Sequence, residues 1–143
     1  MKNLKDIIQE KLNRTISSLM LEKLKINSKS KISKHTYQPK DKDELKELID
    51  KLIKERGEEA DLNDIDTSKI TEMNALFKEV KFNGNISEWN VSNVKNMNVM
   101  FCYSTFTGEN GDISNWDVSK VKTMYRMFWA CPLEKNPPKW YHE

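Results

Sequence analysis

Residues 113–128 read ISNWDVSKVKTMYRMF, and related stretches stand at 86–101 (ISEWNVSNVKNMNVMF) and 62–77 (LNDIDTSKITEMNALF). The three stretches place apolar residues at matching positions, with Met73, Met97 and Met124 equivalent. A unit this short cannot bury its apolar side chains alone and must stack on further copies of itself. The repeats therefore predict a short solenoid over residues 62–143.

The apolar spacing changes character within each copy. Trp116 and Val118 flank Asp117 in the two-residue alternation of a short strand, whereas residues 121–128 follow the three-and-four spacing of a helical turn. The spacing predicts a strand followed by a short helix in every unit. The expected fold class is α+β, a solenoid of about three strand-helix turns.

The repeat pattern is W-(D/N)-V-S-x-V-x-x-M-x-x-M-F, followed by F-(N/T)-G and D-I-S. This pattern resembles the BspA-type leucine-rich repeat of bacterial surface proteins and of lipoproteins from wall-less bacteria, and the resemblance covers about residues 62–143. It implies a leucine-rich-repeat-like surface for protein interaction, often adhesive when displayed on a cell. It implies no reaction.

Two helices are predicted before the repeats. The first spans about residues 3–24 and carries an apolar stripe that includes Leu12, Ile16 and Leu19. This stripe either packs on the protein's own body or forms a homodimer or partner-helix seam, with those three residues as the oligomerisation contacts.

The second predicted helix has clear start and stop signals. Asp41 or Asp43 supplies the N-cap, and Gly57 follows as the C-terminal stop. Its apolar face is expected to cap the first turn of the solenoid. The chain thus divides into an N-terminal helix with a lysine-rich linker (1–35), a capping helix (36–61) and a repeat solenoid (62–143).

Charge is plentiful but nearly balanced. Charged residues make up 32% of the 143 residues and the net charge is +2, with +4 in residues 1–60 and −2 in residues 61–143. The stretch 23–40 contains six lysines and no acidic residue. Its core, residues 23–35, lacks arginine and aromatic residues, so a solvated linker is favoured over nucleic-acid contact.

The sequence offers little catalytic chemistry. His35 and His142 stand in no nucleophile or carboxylate motif, and no phosphate loop, dinucleotide fingerprint or metal-ligand cluster occurs. Cys102 and Cys131 occupy different registers of adjacent repeats, so reduced, partly buried thiols are expected. We therefore expect neither an enzyme nor a cofactor or metal.

A secretion signal, a lipobox and an apolar membrane span are all missing from the sequence pattern. We therefore expect a cytoplasmic protein without a membrane partner.

Residue types that dominate protein interfaces concentrate toward the C-terminus. The candidate partner-binding residues are Tyr103, Tyr125, Arg126, Trp129, Trp140 and Tyr141. Trp140 also continues the register of Trp89 and Trp116, so Trp140 and Trp129 have an alternative role in sealing the open end of the stack.

These observations favour a non-enzymatic protein-protein interaction module. A small phage or mobile-element protein that binds and blocks a host protein, such as a defence nuclease, would fit them. The alternative is a structural subunit of a larger assembly, a virion or cell-surface complex, that oligomerises through the N-terminal helix.

Overall fold

A computed structural model describes residues 3–11 and 35–143, which belong to two compact units that divide between residues 34 and 35. In the first unit, residues 4–11 are helical, and the Asn3 side chain accepts a hydrogen bond from the Asp6 amide at 2.9 Å. This arrangement is a standard helix N-cap. The predicted oligomerisation residues Leu12, Ile16 and Leu19 lie outside the described residues.

The second unit begins with the helix Lys42–Arg56. Asp41 caps its N-terminus by accepting a hydrogen bond from the Glu44 amide at 2.9 Å, and Gly57 ends it at a φ of 96°. Its buried face consists of Leu45, Ile49 and Leu52, which join the core of the repeats. The helix predicted from these start and stop signals is therefore present.

Backbone hydrogen bonds join successive repeats in a constant register. In residues 73–79 and 97–103, the N–H of every odd-numbered residue donates to a carbonyl of the following repeat. The donor–acceptor pairs, all at 2.8–3.0 Å, are Met73–Asn96, Ala75–Asn98, Phe77–Met100, Glu79–Cys102, Met97–Thr123, Val99–Tyr125, Phe101–Met127 and Tyr103–Trp129. We call this set of bonds the turn ladder.

The chain segments that form the turn ladder consist of consecutive tight turns. The even-numbered N–H groups of residues 76–80 donate to carbonyls three residues earlier, at 3.1–3.3 Å, and residues 124–131 show the corresponding bonds. Two residues in each repeat adopt positive φ to make these turns. They are Ala75 and Glu79, Val99 and Tyr103, and Arg126 and Ala130, with φ between 49° and 59°.

The prediction of an α+β solenoid of strand-helix turns is wrong. In residues 35–143, the regular elements are the helix Lys42–Arg56 and a short 3-10 helix, Pro132–Lys135, and the repeats contribute isolated bridging pairs without any strand or sheet. The three-and-four spacing of buried residues arises because each turn closes after three residues. Positive φ at every fourth residue prevents those turns from merging into an α-helix.

Aromatic side chains fill the core in columns that run along the stack. Phe77, Phe101 and Phe128 stack with ring centroids 5.3 and 5.6 Å apart, and Phe82 stacks on Phe106 at 6.1 Å. All five rings are fully buried. Each layer therefore stabilises its neighbours through apolar burial and ring contact as well as through the turn ladder.

Three tryptophans each make a hydrogen bond to the preceding repeat. The indole N–H groups of Trp89, Trp116 and Trp140 donate to the first carbonyl of the preceding repeat at 2.9, 3.3 and 3.0 Å. The accepting residues are Leu62, Ile86 and Ile113. Trp140 thus fills the same slot at the C-terminal end as Trp89 and Trp116 fill within the stack.

The recurring Asp or Asn two residues before a Ser forms local turns. In one example, Asn85 Oδ1 accepts the amide and the hydroxyl of Ser87, at 3.0 and 2.7 Å. Equivalent bonds link Asp66 to Ser68, Asn90 to Ser92, Asp112 to Ser114 and Asp117 to Ser119. This bonding pattern explains why these residues recur, because the side chain of each fixes the turn that follows it.

Candidate protein-binding surface

An aromatic patch, defined as Tyr103, Tyr125, Arg126 and Trp129, lies on the outer side of the turn ladder. The relative exposures of its three rings are 58% for Tyr103, 55% for Tyr125 and 43% for Trp129. Large aromatic side chains are normally buried for much of their area. An exposed group of three is therefore the feature of this surface that most needs a functional explanation.

The turn ladder fixes the backbone that carries the patch. The Tyr103 amide donates to the Trp129 carbonyl at 2.9 Å, which places the second and third repeats in register. The Tyr125 amide donates to Asn98 Oδ1 at 2.7 Å. Tyr103 and Arg126 have positive φ, a conformation that persists for such residues only where the surrounding structure enforces it.

Arg126 lies between two of the rings. Its guanidinium carbon is 5.1 Å from the centroid of the Tyr125 ring and 4.7 Å from that of Trp129, within the range of cation–π attraction. The Arg126 amide donates to Glu143 Oε1 at 3.2 Å. Backbone and side chain of this arginine are therefore both held by neighbours.

Trp140 and Tyr141 belong to a different environment. Both are partly buried and pack against the core, where the Tyr141 ring meets Phe128 edge-on at 5.1 Å. Burial, with the nearby Glu143 carboxylate, raises the pKa of Tyr141 to about 12. The structure thus brings four of the six candidate binding residues together and places the other two where they cover the end of the core.

At the C-terminal end of the turn ladder, two carboxylates accept hydrogen bonds from amides of the last repeat. These contacts were not predicted from the sequence. The Ala130 amide donates to Glu134 Oε2 at 3.0 Å, and the Arg126 amide donates to Glu143 as described above. The short helix Pro132–Lys135 holds Glu134 four residues beyond its donor.

At the opposite end of the turn ladder, Lys46 Nζ donates to the Leu76 carbonyl at 3.0 Å. We call Glu134, Glu143 and Lys46 the ladder caps.

Both cysteines are buried inside the repeats. Cys102 and Cys131 are free and buried, and the Cys131 Sγ lies 3.1 Å from the Phe106 carbonyl as a hydrogen-bond donor. Burial raises the pKa of the Cys131 thiol to about 11. Such a thiol is overwhelmingly protonated near neutral pH and is a poor nucleophile.

Residues 3–11 and 35–143 contain no group of three His, Cys, Asp or Glu side chains that could hold a metal ion. Within the same residues, no helix is long and apolar enough to cross a bilayer.

Stacked layers of tight turns behind one capping helix, with an exposed aromatic patch, define a stacked-repeat protein. The chain belongs to the family described as Mycoplasma protein of unknown function, DUF285, whose family model matches residues 44–142. The match takes in most of the capping helix and all three repeats. No curated protein and no solved structure matches the chain. The resemblance to the BspA-type repeat stays a prediction.

Proposed function

We propose that the chain is a non-enzymatic module that binds another protein through the aromatic patch. The observation that carries this proposal is the exposure of three aromatic rings, two of which contact the guanidinium of Arg126. Tyr, Trp and Arg are the side chains that most often dominate the binding energy of protein interfaces. A rigid backbone beneath them lowers the entropy lost on binding.

The charge of the repeats supports a protein partner over a polyanion. Residues 61–143 carry nine basic and eleven acidic side chains, and two of the acidic ones, Glu134 and Glu143, lie at the end of the stack next to the patch. Nucleic-acid binding draws its affinity from several phosphate contacts by Lys and Arg. A patch with a single guanidinium is better suited to a compact protein epitope.

Affinity capture from a lysate of the source organism tests this proposal. The intact chain is compared with Tyr125→Ala plus Trp129→Ala and with a control, Lys81→Ala plus Glu109→Ala, whose residues are exposed and outside the patch. We expect one protein to be retained by the intact chain and the control and lost from the patch variant, with equal thermal melting of all three. Equal capture by all three forms would contradict the proposal. The identity of the retained protein tests whether the partner is a host protein such as a nuclease.

The molecular mass in solution distinguishes the alternative function, a subunit of a larger assembly, from the proposed binding module. Light scattering after size-exclusion chromatography measures the intact chain and a Leu12→Ala, Ile16→Ala, Leu19→Ala variant. Self-association that disappears in the variant would favour the assembly subunit, whereas equal masses would leave the aromatic patch as the binding surface to pursue.

A further inference from the structure

We infer that Arg126 is the specificity-determining residue of the aromatic patch and that its partner segment presents a carboxylate beside an apolar side chain. The inference rests on the proposed function and deepens it, because it names the chemistry that the partner must have. Three observations support it: two rings hold the Arg126 side chain, its guanidinium has no hydrogen-bond acceptor among the described residues, and exposed aromatic rings surround it.

The guanidinium of Arg126 is positioned before any partner arrives. Its contacts with the Tyr125 and Trp129 rings restrict a side chain that would otherwise sample many rotamers. Stacking on ring faces leaves the N–H groups at the edge of the guanidinium plane, where they remain able to donate. A held arginine loses less entropy when it forms a two-bond contact with a carboxylate.

Arg56 shows what a saturated arginine looks like in this protein. Its two terminal nitrogens donate to the two carboxylate oxygens of Asp64, each at 3.0 Å, and Nη1 also donates to the Asp61 carbonyl at 2.9 Å. Among residues 3–11 and 35–143, no carboxylate or carbonyl accepts a hydrogen bond from the Arg126 guanidinium. Glu143, its acidic neighbour, bonds the Arg126 amide and the Tyr141 hydroxyl instead. The paired nitrogens of Arg126 are therefore open to an outside carboxylate.

The surroundings of Arg126 select for an apolar group next to that carboxylate. Tyr103 exposes its ring one layer away, and its amide bonds the backbone of Trp129. The rings of Tyr125 and Trp129 flank the cation itself. A lone acidic side chain would leave this aromatic area in water, whereas an acidic residue followed by Leu, Phe or Trp would cover it.

A random peptide library displayed on phage, selected on the immobilised full chain, tests the inference. Selected peptides are then synthesised and titrated by calorimetry. We expect Asp or Glu beside an apolar residue in the selected sequences. Replacing that acidic residue by its amide should weaken binding to the intact chain by about tenfold or more, as for a lost charge-assisted pair. On Arg126→Gln the same peptide change should have little further effect, because the two groups act as one pair.

Two further variants sharpen the result. Arg126→Lys keeps the charge but loses the planar pair of donors, so we expect an affinity between those of the intact chain and Arg126→Gln. Lys81→Gln removes an exposed charge outside the patch and should leave the affinity unchanged. Matching thermal melts for all variants show that folding is unaffected.

The outcomes distinguish the inference from the proposed function. Peptide binding that is lost in Trp129→Ala but unchanged by Arg126→Gln and by the acid-to-amide change overturns the inference and leaves the binding surface intact. A selection without binders, or peptides bound equally by Tyr125→Ala plus Trp129→Ala, overturns both. Binding of oligothymidine through Arg126, with steep salt dependence, would also overturn the inference in favour of a phosphate ligand.

Discussion

Residues with positive φ decide how each repeat is built. A left-handed conformation costs a residue other than glycine about 1–2 kcal/mol, and residues 35–143 place six such residues in the turns of the repeats. Val99 is the least favourable of them, because a β-branched residue crowds this conformation most. The bonds between layers must offset this strain, since the same two positions adopt it in every repeat.

Glu79→Gly is expected to stabilise the protein. Glu79 is exposed with a φ of 59°, so glycine removes the left-handed strain at the cost of a more flexible unfolded chain. We expect the free energy of unfolding to rise by up to about 1 kcal/mol, measured by urea denaturation.

Lys78→Gly is the matched control for this prediction. Lys78 is the exposed neighbour and has negative φ, so glycine there should lower the free energy of unfolding by about 0.5–1 kcal/mol. A loss of stability in both variants would show that the turn at Glu79 carries no strain.

The sequence predicted which residues of the repeats are buried better than it predicted the backbone conformation of the repeats. The helix Lys42–Arg56 was predictable because its signals are local: Asp41 caps it and Gly57 stops it. The turns of the repeats have no such signal, since Ala75, Glu79 and Val99 are not residues that favour positive φ. Helical spacing and successive three-residue turns also bury the same pattern of side chains, so periodicity alone could not separate them.

The ladder caps are expected to contribute to stability. Glu134→Ala removes the acceptor of the Ala130 amide at the end of the turn ladder, and no other acceptor for that amide occurs in the described residues. We expect the free energy of unfolding to fall by about 0.5–1.5 kcal/mol. Hydrogen exchange of the Ala130 amide, measured by NMR, should accelerate.

Glu109→Ala is the control for the ladder cap. Glu109 is also an exposed glutamate, but its side chain lies in the loop between the second and third repeats and caps no ladder amide. Stability and exchange at Ala130 should be unchanged. An equal loss of stability in both variants would mean that general charge, not capping, is responsible.

The whole molecule should lose stability in acid. Hydrogen bonds from Arg56 hold the pKa of Asp64 below its ordinary value of 3.8, and serine hydrogen bonds lower the pKa of Asp66, Asp112 and Asp117. The folded state therefore binds fewer protons than the unfolded chain just below pH 3.8. The stabilisation is fully present above that value and is lost as the pH falls through the folded pKa values.

Arg56→Gln isolates one part of this effect. At pH 7 it should lower the free energy of unfolding by up to about 1 kcal/mol, a range suited to a pair that is partly exposed. The difference from the intact chain should shrink as Asp64 becomes protonated below pH 3.8. Urea midpoints at neutral and acidic pH measure it, with Lys54→Gln on the same helix as control. A difference that stays constant with pH would contradict the assignment.

The candidate site was predictable in part. Tyr103, Tyr125, Arg126 and Trp129 were chosen because their residue types are common at protein interfaces, and the structure exposes the three rings. Arg126 contacts two rings from a backbone with positive φ, and this conformation could not be inferred from composition. The contacts of the end-capping carboxylates could not be predicted either, since nothing local in the sequence relates Glu143 to the Arg126 amide.

The direction of its hydrogen bonds makes the two ends of the turn ladder chemically opposite. Across both junctions the amides of residues 73–79 and 97–103 point toward the later repeat and the accepting carbonyls point back. Two copies of the protein that meet at identical ends would set amides against amides or carbonyls against carbonyls, so a symmetric dimer cannot extend the ladder. A duplicated repeat inserted in the same direction would find every partner in place. The turn ladder can therefore lengthen by repeat duplication within a gene, but it cannot continue across a symmetric contact between chains.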